Sequence, residues 1–134
     1  MKKLLVFALF VAAIVACNKN NESPAERYLE TEIEGWVTLD TDNTPIDSVE
    51  ILFTGRKGYL DSFKDTVMAP VYTDATGRFY KKDKFPASYT FSIAASFWDH
   101  RRQYTLYSCD GIAGYACGID VGKKNTIYFV AKKK

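Results

Sequence analysis

Three cysteines and a single histidine are the residues of this 134-residue chain best suited to chemistry. Cys17 stands alone near the N-terminus, whereas Cys109 and Cys117 share a glycine-rich segment. A thiol can be acylated, oxidised or bound to a metal, depending on its neighbours and its compartment. A catalytic triad would have to use His100, and no serine stands in a nucleophile-elbow sequence. A zinc site would need further histidines or a CxxC pair, which the sequence lacks. The sequence therefore predicts no catalytic residue, no metal and no cofactor.

The surroundings of the first cysteine indicate export. Lys2 and Lys3 precede an unbroken apolar run, Leu4–Ala16, and Cys17 follows directly. A charged start, an apolar run of this length and a small residue before the cleavage point are typical of a secretory signal peptide. Spanning a bilayer core would take about 20 apolar residues. We therefore expect residues 1–16 to be a signal peptide.

The residues next to the cleavage point sharpen this expectation. Ile14, Val15, Ala16 and Cys17 resemble the lipobox of bacterial lipoproteins, with isoleucine in place of the more common leucine. The resemblance implies that Cys17 is acylated, becomes the mature N-terminus and binds membrane lipid through its acyl chains. Asn18 is not the aspartate associated with inner-membrane retention, so the resemblance implies a cell-envelope location at the outer membrane, facing the periplasm or the exterior. The alternative is an ordinary signal peptide followed by an unmodified cysteine.

With lipid on the first cysteine, the other two form an even pair. Outside the cytoplasm Cys109 and Cys117 can oxidise and stay oxidised. A disulfide that closes so short a loop stabilises the fold by about 2.5 kcal/mol in the chain-entropy model. We predict this disulfide, although the sequence alone leaves open whether the thiols are bonded.

Length and charge define the rest of the chain. Removal of the first 16 of 134 residues leaves 118, enough for one domain. Lys2 and Lys3 supply the whole formal charge of +2, so the mature chain is balanced. Acidic residues concentrate before residue 50 and basic residues after it, which we attribute to faces that pair within the fold. A balanced, exported chain gives no reason to expect nucleic-acid binding.

Composition also divides the mature chain. Asn18–Arg27 is polar, contains Pro24 and lacks large apolar residues. We expect residues 17–30 to form a flexible tether and residues 31–134 to form the domain.

Period-two alternation predicts strands through the domain, as where Ile33, Gly35 and Val37 alternate with Glu34 and Trp36. No stretch holds a helical period over three turns. Gly55–Thr66 has no period and is expected to be a long loop, and Pro70 is expected to mark an edge strand or a bulge. The expected strands are Glu32–Asp40, Ser48–Thr54, Val67–Thr73, Arg78–Lys82, Ser88–Ala95, Arg101–Cys109 and Asn125–Lys132. The pattern predicts an all-β, seven-stranded sandwich.

Four motifs in order resemble those of carboxypeptidase regulatory-like, or transthyretin-like, domains. They are Gly35-Trp36-Val37, Thr44-Pro45-Ile46-Asp47-Ser48-Val49-Glu50-Ile51, Thr73-Asp74-Ala75-Thr76-Gly77-Arg78-Phe79 and Pro86-Ala87-Ser88-Tyr89. The family usually has glycine where Ala87 and Ser88 stand. The resemblance implies a Greek-key β-sandwich, appended to exported proteins and without catalysis of its own.

Two functions remain open. The first is a non-catalytic envelope lipoprotein whose sandwich is an interaction or structural module for other envelope proteins. The alternative is a glycan-binding accessory lipoprotein, in which exposed aromatic rings stack on sugars. Trp36, on the glutamate-bearing face of its strand, and Trp98 are the candidate ligand-binding residues. An exposed Trp and Tyr cluster on one sheet face would favour the alternative.

Overall fold

The computed structural model describes residues 25–58, 62–98, 103–114 and 116–134, and the regular structure in these ranges is entirely β. Cys17, the expected signal peptide and His100 lie outside the described residues. The strands are β1 Tyr28–Leu39, β2 Glu50–Lys57, β3 Lys64–Tyr72, β4 Arg78–Pro86, β5 Thr90–Ser96, β6 Tyr104–Cys109, β7 Ile112–Ala113, β8 Cys117–Ile119 and β9 Lys124–Lys133. In these ranges no helix has the length and apolar character needed to cross a membrane.

The strands form two sheets. The five-stranded sheet has the order β4-β1-β9-β6-β7, and the four-stranded sheet has the order β3-β2-β5-β8. Neighbouring strands are antiparallel except β1 and β9, which lie side by side in parallel within the five-stranded sheet. The fold is therefore an all-β, two-sheet sandwich in which the beginning and end of the domain meet in one sheet.

Inward-facing phenylalanines join the sheets. Phe85 on β4 contacts Phe53 on β2 and Phe91 on β5, with ring centroids 6.3 Å and 4.8 Å apart. All three side chains are fully buried. Burial of each ring stabilises the fold by roughly 1.5–3 kcal/mol, and the edge-on ring geometry adds to this. The core therefore lies between the sheets, and their outer faces are left to solvent.

Two glycines allow the core rings to pack directly on the central strands. A Cβ at Gly35 would lie 2.2 Å from the carbonyl oxygen of Ile127 and 2.4 Å from the ring of Phe79. A Cβ at Gly55 would lie 2.7 Å from the ring of Phe91. Each sheet thus has one position in a central strand where a side chain is sterically excluded.

The seven expected strands all have counterparts, and the structure adds the short β7 and β8 in the glycine-rich segment. The loop expected over Gly55–Thr66 is wrong at both of its ends, because β2 continues to Lys57 and β3 begins at Lys64. Pro70 lies on the edge strand β3, within a bulge in which Ala69 and Pro70 together lie opposite Leu52 of β2. The sandwich also starts before residue 31, since β1 pairs with β4 from Tyr28 onward.

Candidate functional site

The predicted disulfide is present and joins the two sheets. Cys109 ends β6 of the five-stranded sheet, and Cys117 begins β8 of the four-stranded sheet. Their Cα atoms are 6.0 Å apart, within the usual range for a disulfide. The carboxylate of Asp110 lies close to both sulfurs, but sulfurs bonded to each other do not offer thiolate ligands. The arrangement is therefore a covalent clamp rather than a metal site.

The Asp-x-x-Gly motif builds a turn. Asp74 Oδ1 accepts hydrogen bonds from the backbone N and the hydroxyl of Thr76 and from the backbone N of Arg78. These bonds, led by that of the Thr76 hydroxyl, lower the pKa of Asp74. Gly77 takes a φ of +73°, and its carbonyl accepts a bond from Val37 N at 2.8 Å. The motif's residues are therefore occupied in holding β4 against β1.

We call the outer surface of the five-stranded sheet the aromatic face. Trp36 on β1 stacks on its neighbour Tyr128 on β9, with ring centroids 5.3 Å apart and planes 15° apart. Trp36 is half-buried, and Tyr128 is 53% exposed. Arg78 is the β4 neighbour of Trp36, and its guanidinium lies 5.4 Å from the ring centre of Tyr80. One tryptophan and exposed tyrosines therefore lie together on one face, although the tryptophan itself is half-buried.

Ion pairs surround these rings. Glu34 contacts Arg78 at 2.8 Å and Lys124 at 3.9 Å. Similar pairs link Lys82 to Glu30 at 3.2 Å, Lys124 to Glu32 at 3.7 Å and Lys132 to Asp40 at 3.9 Å. Acids from the first part of the chain therefore pair with bases from the second part, which confirms the interpretation of the charge split. The charged side chains named here therefore pair with one another on the aromatic face.

A groove of about 760 Å³ lies on the outer face of the four-stranded sheet. Its lining comes from β2, β3, β5 and the segment before β3: Thr54, Gly55, Arg56, Gly58, Phe63, Asp65, Thr66, Val67, Thr90 and Ser92. Strand pairing arranges the floor as two rows across the sheet. One row is Thr90, Arg56, Asp65, and the other is Ser92, Thr54, Val67.

An arginine–aspartate pair dominates the groove. Arg56 Nε donates to Asp65 Oδ1 at 2.8 Å, and Nη2 lies 3.4 Å from Oδ2. This bond lowers the pKa of Asp65 and raises the pKa of Arg56. The guanidinium also lies 5.1 Å from the ring centre of Phe63. The groove thus presents a neutral charge pair beside an apolar ring.

The rest of the groove is rich in hydroxyls. The hydroxyl oxygens of Thr54 and Ser92 are 3.3 Å apart and can hydrogen bond to each other. Gly118 on β8 pairs opposite Ser92, so no side chain extends from that position of β8. The floor is therefore open on its β8 side.

The two predicted tryptophans belong to different sheets. Trp36 lies within β1 of the five-stranded sheet, whereas Trp98 follows β5 of the four-stranded sheet and is 64% exposed. The sequence analysis did not predict the groove. Its signal is the spacing of two residues between Thr54 and Arg56 and between Thr90 and Ser92, which places each pair on one face of its strand. Only the strand pairing shows that these residues lie together.

The described residues define a class of protein: an all-β, two-sheet sandwich clamped by a disulfide. No protein-family model and no curated protein matches the chain. Among solved structures, the chain is similar to the C-terminal domain of the shaft pilin SpaA from Lactobacillus rhamnosus GG, with 8% identity and a TM-score of 0.44, covering 75% of this chain and 97% of that domain.

Two further similarities are as distant. The larger shaft pilin SpaA structure is 9% identical with a TM-score of 0.43, and the match covers 81% of this chain and 52% of the pilin, about half its length. A 9R-lipoxygenase from Cyanothece is 10% identical with a TM-score of 0.40, and the match covers 87% of this chain but 20% of the lipoxygenase. Similarities of this level assign neither a role in a pilus nor lipoxygenase chemistry to this chain.

Proposed function

We propose that this chain is a lipid-anchored lipoprotein of the bacterial cell envelope, placed at the outer membrane by acylated Cys17. Its sandwich, of the Greek-key, transthyretin-like kind suggested by the four motifs, acts as a non-catalytic interaction or structural module. The observation that carries this proposal is the disulfide between the sheets, because such bonds form and persist outside the reducing cytoplasm. The lipobox-like Ile14-Val15-Ala16-Cys17 supports the same compartment.

The described residues offer groups suited to binding. Lys81 is the buried charged side chain in these ranges, and it lies 3.5 Å from Asp83 and 5.5 Å from the ring centre of Phe53. The groove contains hydroxyls and one hydrogen-bonded charge pair, which are groups that bind polar ligands. Binding is the function that such surfaces support.

The anchor is tested by mass spectrometry of the native protein. We expect the N-terminal peptide of the mature chain to begin at Cys17 and to carry fatty acyl mass on that residue. The chain should sediment with membranes, and Cys17→Ala should move it to the soluble fraction. The double variant Cys109→Ser/Cys117→Ser is the control, because it removes both other cysteines without touching the lipid site. A native chain that carries no acyl mass at Cys17 would contradict the proposal.

Glycan binding is the second candidate function. Two observations favour it: the hydroxyl-lined groove with its apolar ring, and the aromatic face, where Tyr80, Tyr107 and Tyr128 are each more than two-fifths exposed. These two surfaces make different predictions about which residues a glycan would contact.

A further inference from the structure

We infer that the groove on the four-stranded sheet binds a neutral oligosaccharide, and that the aromatic face does not supply this site. The inference rests on the second candidate function and does not depend on the lipid anchor. Its basis is the combination of hydroxyls, a charge-neutral hydrogen-bonding pair and an apolar wall in one concave surface.

The floor has the size of a small-ligand site. It spans three adjacent strands, about 10 Å across, and two outward-facing residues along each strand, about 7 Å. The groove volume of about 760 Å³ falls within the range typical of ligand sites. A short oligosaccharide matches a floor of this size, and the absent side chain at Gly118 lets it extend beyond Ser92.

The charge pair favours a neutral, hydroxyl-bearing ligand. Asp65 cancels the charge of Arg56, so the pair presents no net charge to attract a charged ligand. Arg56 has five N–H donors and uses two nitrogens on Asp65, while the carboxylate retains acceptor capacity. Neighbouring sugar hydroxyls both donate and accept, so they can bond to the two members of the pair at once.

Apolar groups complete the complementarity. Phe63 is 52% exposed and Val67 is 68% exposed, and both line the groove. Sugar rings have apolar C–H surfaces beside their hydroxyls, and aromatic or aliphatic side chains can cover these surfaces. On the opposite face, one surface of the Trp36 ring is already occupied by Tyr128, so Trp36 has less of its ring to offer a sugar.

Binding is tested with the full lipoprotein, purified in detergent, on an array of neutral glycans, followed by calorimetric titration of the glycan retained. We expect binding to at least one neutral oligosaccharide. Arg56→Gln should weaken it about tenfold or more, since hydrogen bonds to a charged group are lost. Ser92→Leu should also weaken it, because a bulkier side chain would cover the floor beside Gly118.

The aromatic face provides matched controls. Arg78→Gln removes an arginine–carboxylate pair from the other sheet. Thr126 is exposed on β9 beside Glu34, and Thr126→Leu adds a bulky side chain there. Both substitutions should leave the affinity unchanged. Unchanged circular dichroism would show that each variant is folded. Failure to bind any neutral glycan at millimolar concentration, or loss of binding in Trp36→Ala with retention in both groove variants, would overturn the inference. A Cys17→Ala chain that leaves the membrane but still binds would separate this inference from the proposed anchor.

Discussion

The outer faces of the two sheets carry the same arrangement, an arginine between a carboxylate and an aromatic ring, in different surroundings. On the aromatic face, Arg78 Nε donates to Glu34 at 2.9 Å and the guanidinium lies beside Tyr80. The Glu34 side chain is 21% exposed and also contacts Lys124. The Arg78 side chain is 41% exposed, so this pair is partly enclosed, and Glu34 divides its bonds between two cations.

The groove presents its pair to solvent. Arg56 Nε donates to Asp65 at 2.8 Å, and the guanidinium lies beside Phe63. The side chains of Arg56 and Asp65 are 62% and 63% exposed, respectively. Two pairs with nearly the same bond length can therefore have different roles: one stabilises a sheet surface, and the other remains available to a ligand.

Removal of the disulfide should have the largest effect on the free energy of unfolding, because the bond joins the two sheets. Replacing both Cys109 and Cys117 with serine should lower the free energy of unfolding by about 2–4 kcal/mol. Urea denaturation of the oxidised wild type and the double variant measures the difference. Equal stability of the two chains would show that the clamp contributes nothing to the sandwich.

Substitution of the two central glycines by alanine should destabilise the fold by different amounts in the two sheets. Gly35→Ala forces a Cβ against a backbone oxygen and a core ring, and should cost about 3 kcal/mol. Gly55→Ala forces its Cβ mainly against the Phe91 ring and should cost about 1–2 kcal/mol, because side chains can shift more easily than backbone. Thermal and urea unfolding of the two variants measure which substitution lowers the stability more. A larger cost at Gly55 would contradict the packing described for the five-stranded sheet.

The arginines should differ in their effect on stability. Arg78→Gln should lower the free energy of unfolding by about 0.5 kcal/mol, since its pair is partly enclosed but still reached by solvent. Arg56→Gln should leave stability unchanged within error, because its pair is open to water. Parallel denaturation curves test this. A greater loss from Arg56→Gln would identify the groove pair as structural.

The smallest predicted effect is a change in the pKa of Asp65 when its bond to Arg56 is lost. The hydrogen bond from Arg56 holds the pKa of Asp65 below its ordinary value. A lowered folded-state pKa adds stability above the unfolded value and loses it as the pH falls through the folded value. Carboxyl NMR titration should show this low pKa, and Arg56→Gln should raise it toward the ordinary value. An Asp65 pKa unaffected by the substitution would mean that the pair does not persist in solution.

The sequence predicted the parts of the fold that depend on local patterns. The strand β1 can be predicted from the sequence because Ile33, Val37 and Leu39 all face the core, which imposes a period of two on the apolar residues. The turn at Asp74 and Gly77 was visible because few residue types satisfy its hydrogen bonds and its positive φ.

The missed features depend on pairing between distant segments. Near the end of β2 and the start of β3, the inward positions hold Gly55 and Thr66, which pair with each other. Neither residue is large and apolar, so the sequence shows no alternation there and predicts a loop. The groove combines residues up to 38 positions apart, such as Thr54 and Ser92, and no local pattern specifies that contact. Trp36 was correctly placed on an outer face, but its stack on Tyr128 depends on the parallel pairing of the first and last strands.

The difference between the two faces can be measured directly in the wild-type lipoprotein. An ¹⁵N NMR spectrum reports the Nε–H groups of Arg56, Arg78 and Trp36 together, without any substitution. Addition of the neutral glycan selected on the array should shift the Arg56 signal and leave the Arg78 and Trp36 signals in place. Shifts at Arg78 and Trp36 with an unchanged Arg56 would place the ligand on the aromatic face and contradict the account.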